Sequence, residues 1–324
     1  MARLREELED AGAWFGGNAI GLLKAVDRAR SPRQHERRFA TYGAIVVEGD
    51  RAEAVAALDE MGAIRLAADR SAAWRIRTMA DGVQSFALIT PDTAELVLLP
   101  SPVPREVELV RLRRQLGATP IVVSRSIDGV VRVLQRKQII IFDGTRWWTK
   151  PVARRYTTLV QQAVPAAPVE TTEQILDFCV HSAGPAPGGA TLVWCLDDDA
   201  LAQLLRSAAR TQPPLPLRLP LTVPEAHSAI HQLLSQVDGA AAVNPQGEVV
   251  EIGLHLHSST DAQRLIELPA SVGMRHASAQ QCSYDITGAV FFAVSDDGPV
   301  TVYAGGSTLA SIEVPAEIER SVRT

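Results

Sequence analysis

The sequence contains little cysteine and no long apolar stretch. Its three cysteines, Cys179, Cys195 and Cys282, match neither a metal-binding spacing nor a disulfide framework. The longest apolar runs, such as 96–99 and 139–142, are far shorter than the roughly 18 residues that a membrane helix needs. These absences predict buried thiols in a reducing cytoplasm and no association with a membrane.

The amino terminus also lacks the pattern of a signal peptide. Residues 1–12, MARLREELEDAG, contain four acids and two arginines, where a signal peptide has a basic end followed by an apolar run. We therefore expect a cytoplasmic protein that is not exported.

The remaining composition indicates a globular protein with more than one domain. Hydrophobic residues make up 46% of the chain and charged residues 21%, which excludes disordered and fibrous classes. A length of 324 residues is about twice the roughly 150 residues of one domain. Two domains are the first expectation.

Charge is distributed unequally between the two halves. Residues 1–160 contain 25 Lys and Arg against 19 Asp and Glu, a net charge of +6, whereas residues 161–324 contain 7 against 18, a net charge of -11. Such a difference predicts two modules with different partners. The ligand or partner of the first module is unknown from the sequence, and its basic stretches at 28–38 and 111–114 only suggest nucleic-acid binding.

Hydrophobic periodicity predicts a mixed α/β domain over residues 1–160. An Ala/Pro-rich linker is predicted at 161–170, a second domain at 171–314 and a tail at 315–324. In the second domain, Asp197, Asp198 and Asp199 precede a helical pattern. Capping of that helix is favoured over a metal cluster.

Two further segments have residue types that suit ligand binding. Asp238, Gly239 and Ala240 follow a helix that is predicted to begin at Pro224, and they precede a strand. A carboxylate at this junction either faces a ligand or closes a turn. On the next strand His255 and His257 share one face, as a metal pair or as exposed side chains.

The second segment is a glycine turn that leads into a predicted helix. Arg275 and His276 stand at the start of this helix, where free N–H groups and the helix dipole favour an anion. The alternative interpretation is a surface turn with a salt-bridged arginine. An apolar strand and a hairpin around 296–298 follow.

The ordered set of these motifs resembles the diadenylate cyclase family. The resemblance rests on Asp238-Gly239-Ala240, on the strand with Leu256, on Gly273-x-Arg275-His276 and on the apolar strand before Ser295. It covers roughly 171–312 and implies a mixed, twisted sheet flanked by helices. The first half is similar to the sensor-type modules that precede this domain in some bacterial proteins.

The resemblance implies a nucleotidyltransferase that condenses two ATP into cyclic di-AMP and releases two pyrophosphates. Asp238 would position the 3′-hydroxyl and a Mg²⁺ or Mn²⁺ ion, and Gly239 and Ala240 would keep the turn narrow. Arg275 and His276 would hold the triphosphate. The residues implied to bind ATP are Leu256, Gly273, Met274, Arg275, His276 and Ser278. Two protomers would face each other, which implies a homodimer or a larger even-numbered oligomer.

The chain departs from the family pattern at three places. Met274 stands where threonine is common, and Ala277 replaces a second arginine. A downstream acidic position falls on Tyr284 or Asp285. The alternative function is therefore a nucleotide-binding sensor on the same fold with weak or no catalysis.

Overall fold

The computed structural model describes residues 1–31, 34–35, 38–47, 51–67, 73–183, 189–269, 272–295 and 299–312. The chain divides into two compact units, Met1–Val152 and Ala153–Thr324. This division lies ahead of the predicted linker at 161–170, because Val160 and Ala167 are buried in the core of the second unit. The predicted tail, 315–324, and the predicted turn at 296–298 lie outside the described residues.

The first unit alternates helices and strands. Its helices are α1 Ala2–Asp10, α2 Ala19–Arg30, α3 Arg51–Glu60, α4 Ala73–Met79 and α5 Glu106–Gln115. Its strands are β1 Gln34–His35, β2 Arg38–Phe39, β3 Tyr42–Val46, β4 Ile64–Ala67, β5 Ser85–Ile89, β6 Ala94–Leu98, β7 Ile121–Arg125, β8 Val131–Leu134, β9 Gln138–Phe142 and β10 Trp147–Pro151.

Eight of these strands form one mixed sheet with apolar cores on both faces. The strand order is β10-β9-β8-β7-β3-β5-β6-β4, and β3 and β5 are parallel. Successive side chains of a strand point to opposite faces. Ala44 and Val46 of β3 therefore pack with α1, α2 and α4, while Ile45 packs with α3 and α5.

The second unit is a separate mixed α/β fold. Its helices are α6 Arg154–Ala163, α7 Val169–Phe178, α8 Asp198–Ser207, α9 Pro224–Gln236, α10 Thr260–Leu265 and α11 Met274–Asp285, and a π-helical turn follows α7 at Cys179–Ala183. Its strands are β11 Ala190–Cys195, β12 Ala209–Arg210, β13 Leu219–Pro220, β14 Ala240–Val243, β15 Glu248–His255, β16 Ala289–Val294, β17 Val300–Ala304 and β18 Ser307–Ile312.

The sheet of the second unit has the order β12-β15-β14-β11-β16-β17-β18, with β13 also paired to β15. Strands β11 and β14 are parallel, and the other pairs are antiparallel. Leu192 and Trp194 of β11 face the core with α6, α7 and α9, and Val193 faces the core with α8 and α11. The predicted class, two separate mixed α/β domains, is confirmed.

Local signals explain where two helices of this unit begin. The Asp197 carboxylate accepts a hydrogen bond of 2.7 Å from the Ala200 N–H, so the predicted capping of α8 is confirmed. Pro224 is the first residue of α9, where its missing N–H costs no helical hydrogen bond. In the described part of the chain, no helix has the length and apolar character to cross a membrane.

Asp81, between α4 and β5, is a partly buried carboxylate held by backbone N–H groups. Its Oδ1 accepts hydrogen bonds from the N–H groups of Val83, Gln84 and Ser85 at 2.8–2.9 Å. Burial raises the pKa of the Asp81 carboxyl, but these hydrogen bonds outweigh burial and lower that pKa below its ordinary value.

We predict that Asp81→Asn makes the stability of the first unit less dependent on acidic pH. The lowered pKa means that the ionised carboxylate stabilises the fold above the unfolded pKa of about 3.9. That contribution is lost as pH falls through the folded pKa. Chemical unfolding between neutral and acidic pH measures the difference, with Asp92→Asn, at an exposed position, as control. An equally steep loss in Asp81→Asn contradicts the assignment.

Candidate functional site

Strand register brings two predicted site residues to one edge of the second sheet. Ala240 of β14 pairs with Thr191 of β11 and with Leu254 of β15. Asp238 lies two residues before Ala240, and Leu256 lies two residues after Leu254. Because β14 and β15 are antiparallel, these two positions lie at the same end of the sheet.

The same register adds the end of β16 to this edge. Thr191 also pairs with Ala293 in the antiparallel pair β11 and β16, so Ser295 lies level with Asp238. Two strand spacings, about 10 Å, separate the two strands that lead to these residues. We call the edge formed by Asp238, Leu256 and Ser295 the Asp238 edge.

A close backbone approach dictates the turn before β14. Gly239 has φ of 113°, and a Cβ there would lie 2.9 Å from the carbonyl carbon of Gly253. Only glycine meets both conditions. The Asp238 carboxylate is exposed, its Oδ1 accepts the Gly239 N–H at 2.9 Å, and Ala240 is buried beneath it. The carboxylate therefore closes the turn, and its exposure leaves it accessible to a ligand.

Helix α11 delivers Arg275 and His276 to the same end of the sheet. Gly273 is its N-cap residue, and its first turn contains no acid. Arg275 Nη1 donates a long hydrogen bond of 3.5 Å to the carbonyl of Val294, the last residue of β16. The helix dipole and the guanidinium together make this edge attractive to an anion.

His276 bridges β16 and β17, since Ser295 follows the last residue of β16 and Tyr303 lies on β17 opposite Phe291. Its Nε2 lies 2.5 Å from Ser295 Oγ, and its Nδ1 lies 3.0 Å from the Tyr303 hydroxyl. Burial raises the pKa of Tyr303, so this phenol stays protonated at neutral pH. The imidazole is thereby held in one orientation by two hydroxyl groups.

The other predicted binding residues occupy different environments. Met274 is 88% exposed, and Gly273 is exposed with open space where a Cβ would stand. The Ser278 hydroxyl donates to the Met274 carbonyl within α11. Leu256 is half-buried against the core that α8 and α11 cover.

The structure does not bring Tyr284 or Asp285 to the Asp238 edge. Both lie at the carboxyl end of α11, about 15 Å along the helix axis from Arg275 at 1.5 Å per residue. The Asp285 carboxylate accepts hydrogen bonds from the Ser259 N–H and Oγ at 2.7 and 2.6 Å, which holds the start of α10. Tyr284 is exposed.

The Asp238 edge offers one carboxylate ligand, which suits a divalent ion that also takes ligands from the phosphates of a substrate. Among the described residues, no three His, Cys, Asp or Glu side chains come together, and His255 and His257 are both exposed. Mg²⁺ is commonly bound by one or two carboxylates with phosphate oxygens and water. The exposed Asp238 carboxylate fits that role.

Sequence reasoning missed Ser295 and Tyr303 as site residues. Ser295 ends an apolar strand and Tyr303 lies on an alternating strand, so neither has a local signal beyond its strand pattern. They reach His276 because β16 and β17 pair as a hairpin.

Two family models match the chain. The family described as "DisA bacterial checkpoint controller nucleotide-binding" (DAC) matches residues 188–308, and the family described as "Probable sensor domain DACNK" matches residues 2–151. The second unit therefore carries a domain of the diadenylate cyclase class. The chain combines this DAC domain with an N-terminal DACNK domain, as the resemblance predicted.

A solved structure described as a hypothetical membrane spanning protein from Bacillus cereus is 19% identical, with a TM-score of 0.33, over 50% of this chain and 72% of that chain. No curated protein matches the sequence.

We predict that Tyr303→Phe weakens ATP binding without unfolding the second unit. The substitution removes only the hydroxyl that contacts His276 Nδ1. Loss of one neutral hydrogen bond corresponds to a roughly two- to tenfold weaker affinity. Calorimetric titration with ATP measures it, with Tyr284→Phe, at an exposed tyrosine on α11, as control. Unchanged affinity in Tyr303→Phe contradicts the positioning of His276 by Tyr303.

Proposed function

We propose that this chain is a cytoplasmic diadenylate cyclase that condenses two ATP into cyclic di-AMP and is regulated by its N-terminal unit. The observation that supports it best is one sheet edge that combines an exposed carboxylate, Asp238, with Arg275 and His276 at a helix N-terminus. This arrangement suits a nucleotide whose triphosphate meets the cations and whose ribose meets the carboxylate.

The reaction asks the protein mainly for placement and charge stabilisation. The 3′-oxygen of one ATP attacks the α-phosphorus of the other, the bond from α-phosphorus to the bridging oxygen breaks, and pyrophosphate leaves. The 3′-hydroxyl proton departs to solvent. Arg275 and the N–H groups of α11 stabilise the charge on the leaving phosphates. Both ring nitrogens of His276 contact hydroxyls, those of Ser295 and Tyr303, so His276 acts by orienting the Ser295 hydroxyl beside the phosphates.

Asp238 orients the 3′-hydroxyl of the bound nucleotide. A carboxylate accepts a hydrogen bond from that hydroxyl, and Oδ1 is already held by the Gly239 N–H, so Oδ2 is the oxygen that faces the ribose. Asp238 would hold a Mg²⁺ or Mn²⁺ ion, which would supply charge neutralisation at the α-phosphate.

One Asp238 edge binds one ATP, whereas the product contains two nucleotides. Each 3′-hydroxyl must therefore meet the α-phosphate held by a second copy. A two-fold axis between two edges satisfies both reactions at once. We therefore infer an even-numbered oligomer as the active species.

A second candidate function is a nucleotide-binding sensor without efficient catalysis. It is favoured by α11 itself, where Ala277 offers no guanidinium and Met274 is 88% exposed. Incubation of the full chain with ATP and Mn²⁺ separates the two functions. Pyrophosphate and cyclic di-AMP support the cyclase, and tight ATP binding without either product supports the sensor.

We predict that Asp238→Asn retains ATP binding and loses turnover. Asparagine keeps an acceptor for the Gly239 N–H, so the turn persists, but the charge that orients the ribose and binds the metal ion is gone. Misplacement of a reacting group costs about 10²-fold in rate. The control is Asp261→Asn, because Asp261 is exposed and contacts Arg264 on α10. Wild-type turnover in Asp238→Asn excludes the assignment.

We predict that Arg275→Ala weakens ATP by about 1.5–3 kcal/mol, the range of a charge-assisted hydrogen bond. AMP, with fewer phosphate oxygens, should be affected less. Ala277→Arg should raise ATP affinity if this position faces the triphosphate. Titrations with ATP and AMP measure both variants, and Arg264→Ala on α10 is the control. Equal ATP affinity of Arg275→Ala and wild type excludes the phosphate role of α11.

A further inference from the structure

The first unit contains a buried tyrosine hydroxyl without a partner. Tyr42, the first residue of β3, is 3% exposed, and its ring packs in the core with α2 and α4. Its hydroxyl has no hydrogen-bond partner in the described part of the chain. Buried polar groups are nearly always paired, so this hydroxyl indicates either a stability cost or a missing ligand.

Arg77 presents a second buried donor in the same place. Its Nε is buried without a hydrogen-bond partner, and the described residues offer its guanidinium no ion pair. Asp81, four residues after Arg77, accepts three backbone N–H groups on Oδ1 and makes no ion pair with Arg77 in the described part of the chain. Burial raises the pKa of Tyr42 to about 12, although the charges of Arg77 and Arg28 act to lower it. The phenol is therefore a neutral O–H donor beside two cations.

Arg28 completes this cluster from α2. Its Cζ lies 5.6 Å from the centroid of the Tyr42 ring, within the range of a cation–π contact. Its Nε donates to the Arg77 carbonyl at 3.2 Å, and its Nη2 donates to Thr78 Oγ1 at 2.9 Å. The carboxyl ends of α2 and α4 are thus joined beside the phenol.

A third basic residue lies opposite Tyr42 on the neighbouring strand. Arg125 of β7 is its register partner and is 7% exposed. Its Nη1 donates to the Ala29 carbonyl at 2.8 Å. Arg28, Arg77 and Arg125 therefore come from three different elements, α2, α4 and β7, that pack around the Tyr42 side chain.

Helix capping explains only part of this cluster. Cations near a helix carboxyl end interact favourably with its dipole, which accounts for the bonds of Arg28 to the end of α4. It does not account for the bare Tyr42 hydroxyl and the bare Arg77 Nε. Both are donors, and an acceptor with negative charge satisfies both.

We propose that Tyr42, Arg77 and Arg28 form an oxyanion-binding site in the N-terminal unit, for a small ligand with a phosphate or carboxylate group. Arg77 and Tyr42 donate to the oxyanion, and Arg28 adds charge while it holds the two helix ends. This assigns a ligand class to the sensor role in the proposed function. It is independent of cyclase chemistry, because binding occurs in a different unit.

The test is anion-dependent stabilisation of the full chain. Inorganic phosphate and acetate are added at constant ionic strength, with chloride as reference, and thermal unfolding of the first unit is followed together with calorimetric binding. Phosphate and acetate separate the two ligand chemistries. All variants are made in an Arg275→Gln background, so that phosphate binding at the Asp238 edge does not contribute.

The variants are Arg77→Gln and Tyr42→Phe, with Arg75→Gln as matched control on the same helix. Arg75 is exposed and lies over the Trp74 ring at 5.4 Å. We expect one of the two anions to bind the parent and Arg75→Gln equally, and to bind Arg77→Gln about tenfold or more weakly. Tyr42→Phe should bind it more weakly and, in chloride, melt at a higher temperature, because a bare buried hydroxyl is removed.

Three outcomes overturn the proposal. One is that phosphate and acetate raise the melting temperature of the parent no more than chloride does and show no calorimetric binding, which means that these donors bind only water. Another is equal anion affinity in Arg77→Gln and Arg75→Gln. The third is a lower melting temperature of Tyr42→Phe in chloride, which means that the hydroxyl has a partner in the folded chain. Anion binding in the first unit, together with absent cyclase activity in the wild-type chain, leaves this site intact and counts against the proposed reaction alone.

Discussion

The parallel pairing of β11 with β14 is the constraint on which the candidate site depends. It makes the amino ends of both strands meet the carboxyl ends of their antiparallel neighbours, β15 and β16. Asp238 and Ser295, 57 residues apart in the sequence, come to one edge for that reason. Gly239 makes the arrangement possible, because the chain passes within van der Waals distance of Gly253 there. A side chain at 239 would push the carboxylate-bearing turn off the sheet.

Helix α11 then converts this edge into an anion-binding surface. Its placement follows from apolar packing, since Ala279 and Cys282 are buried against the face of the sheet that also carries Tyr303. Packing of these residues sets where the N-terminus of the helix lies. Two hydroxyls fix the His276 ring there. Only Arg275 and His276 supply basic side chains at the start of α11. The orientation of each donor therefore matters more for anion binding than the total charge does.

The two units deal with charge in different ways. In the first unit many basic side chains form ion pairs within the fold. Arg132 and the buried Lys150, for example, both pair with Glu106. Arg77 differs from these two residues, because its Nε is buried without a hydrogen-bond partner and no carboxylate in the described residues pairs with it. The net charges of the two halves predicted two modules with different partners. Only the side-chain contacts in the structure show which arginines are paired within the fold and which are available to a ligand.

Much of the local structure followed from the sequence. Pro224 and Asp197 marked the starts of α9 and α8, and Asp238-Gly239-Ala240 with Arg275-His276 marked the candidate site, because turn and capping chemistry acts over a few residues. The burial of Ala167 within the Ala/Pro-rich segment did not, because packing against a distant core leaves no local signal in the sequence. Nor did the environment of Asp285, whose carboxylate proved to hold the start of α10.

The sequence by itself determined the fold class, the helix starts and the residue types of the candidate site. Only the tertiary structure decided that Ser295 and Tyr303 hold His276, that Asp285 lies at the far end of α11, and that Tyr42 meets Arg28 and Arg77. These are contacts between distant parts of the chain. Strand register and packing create them, and no periodicity or capping pattern along the chain records which distant strand will lie beside which helix.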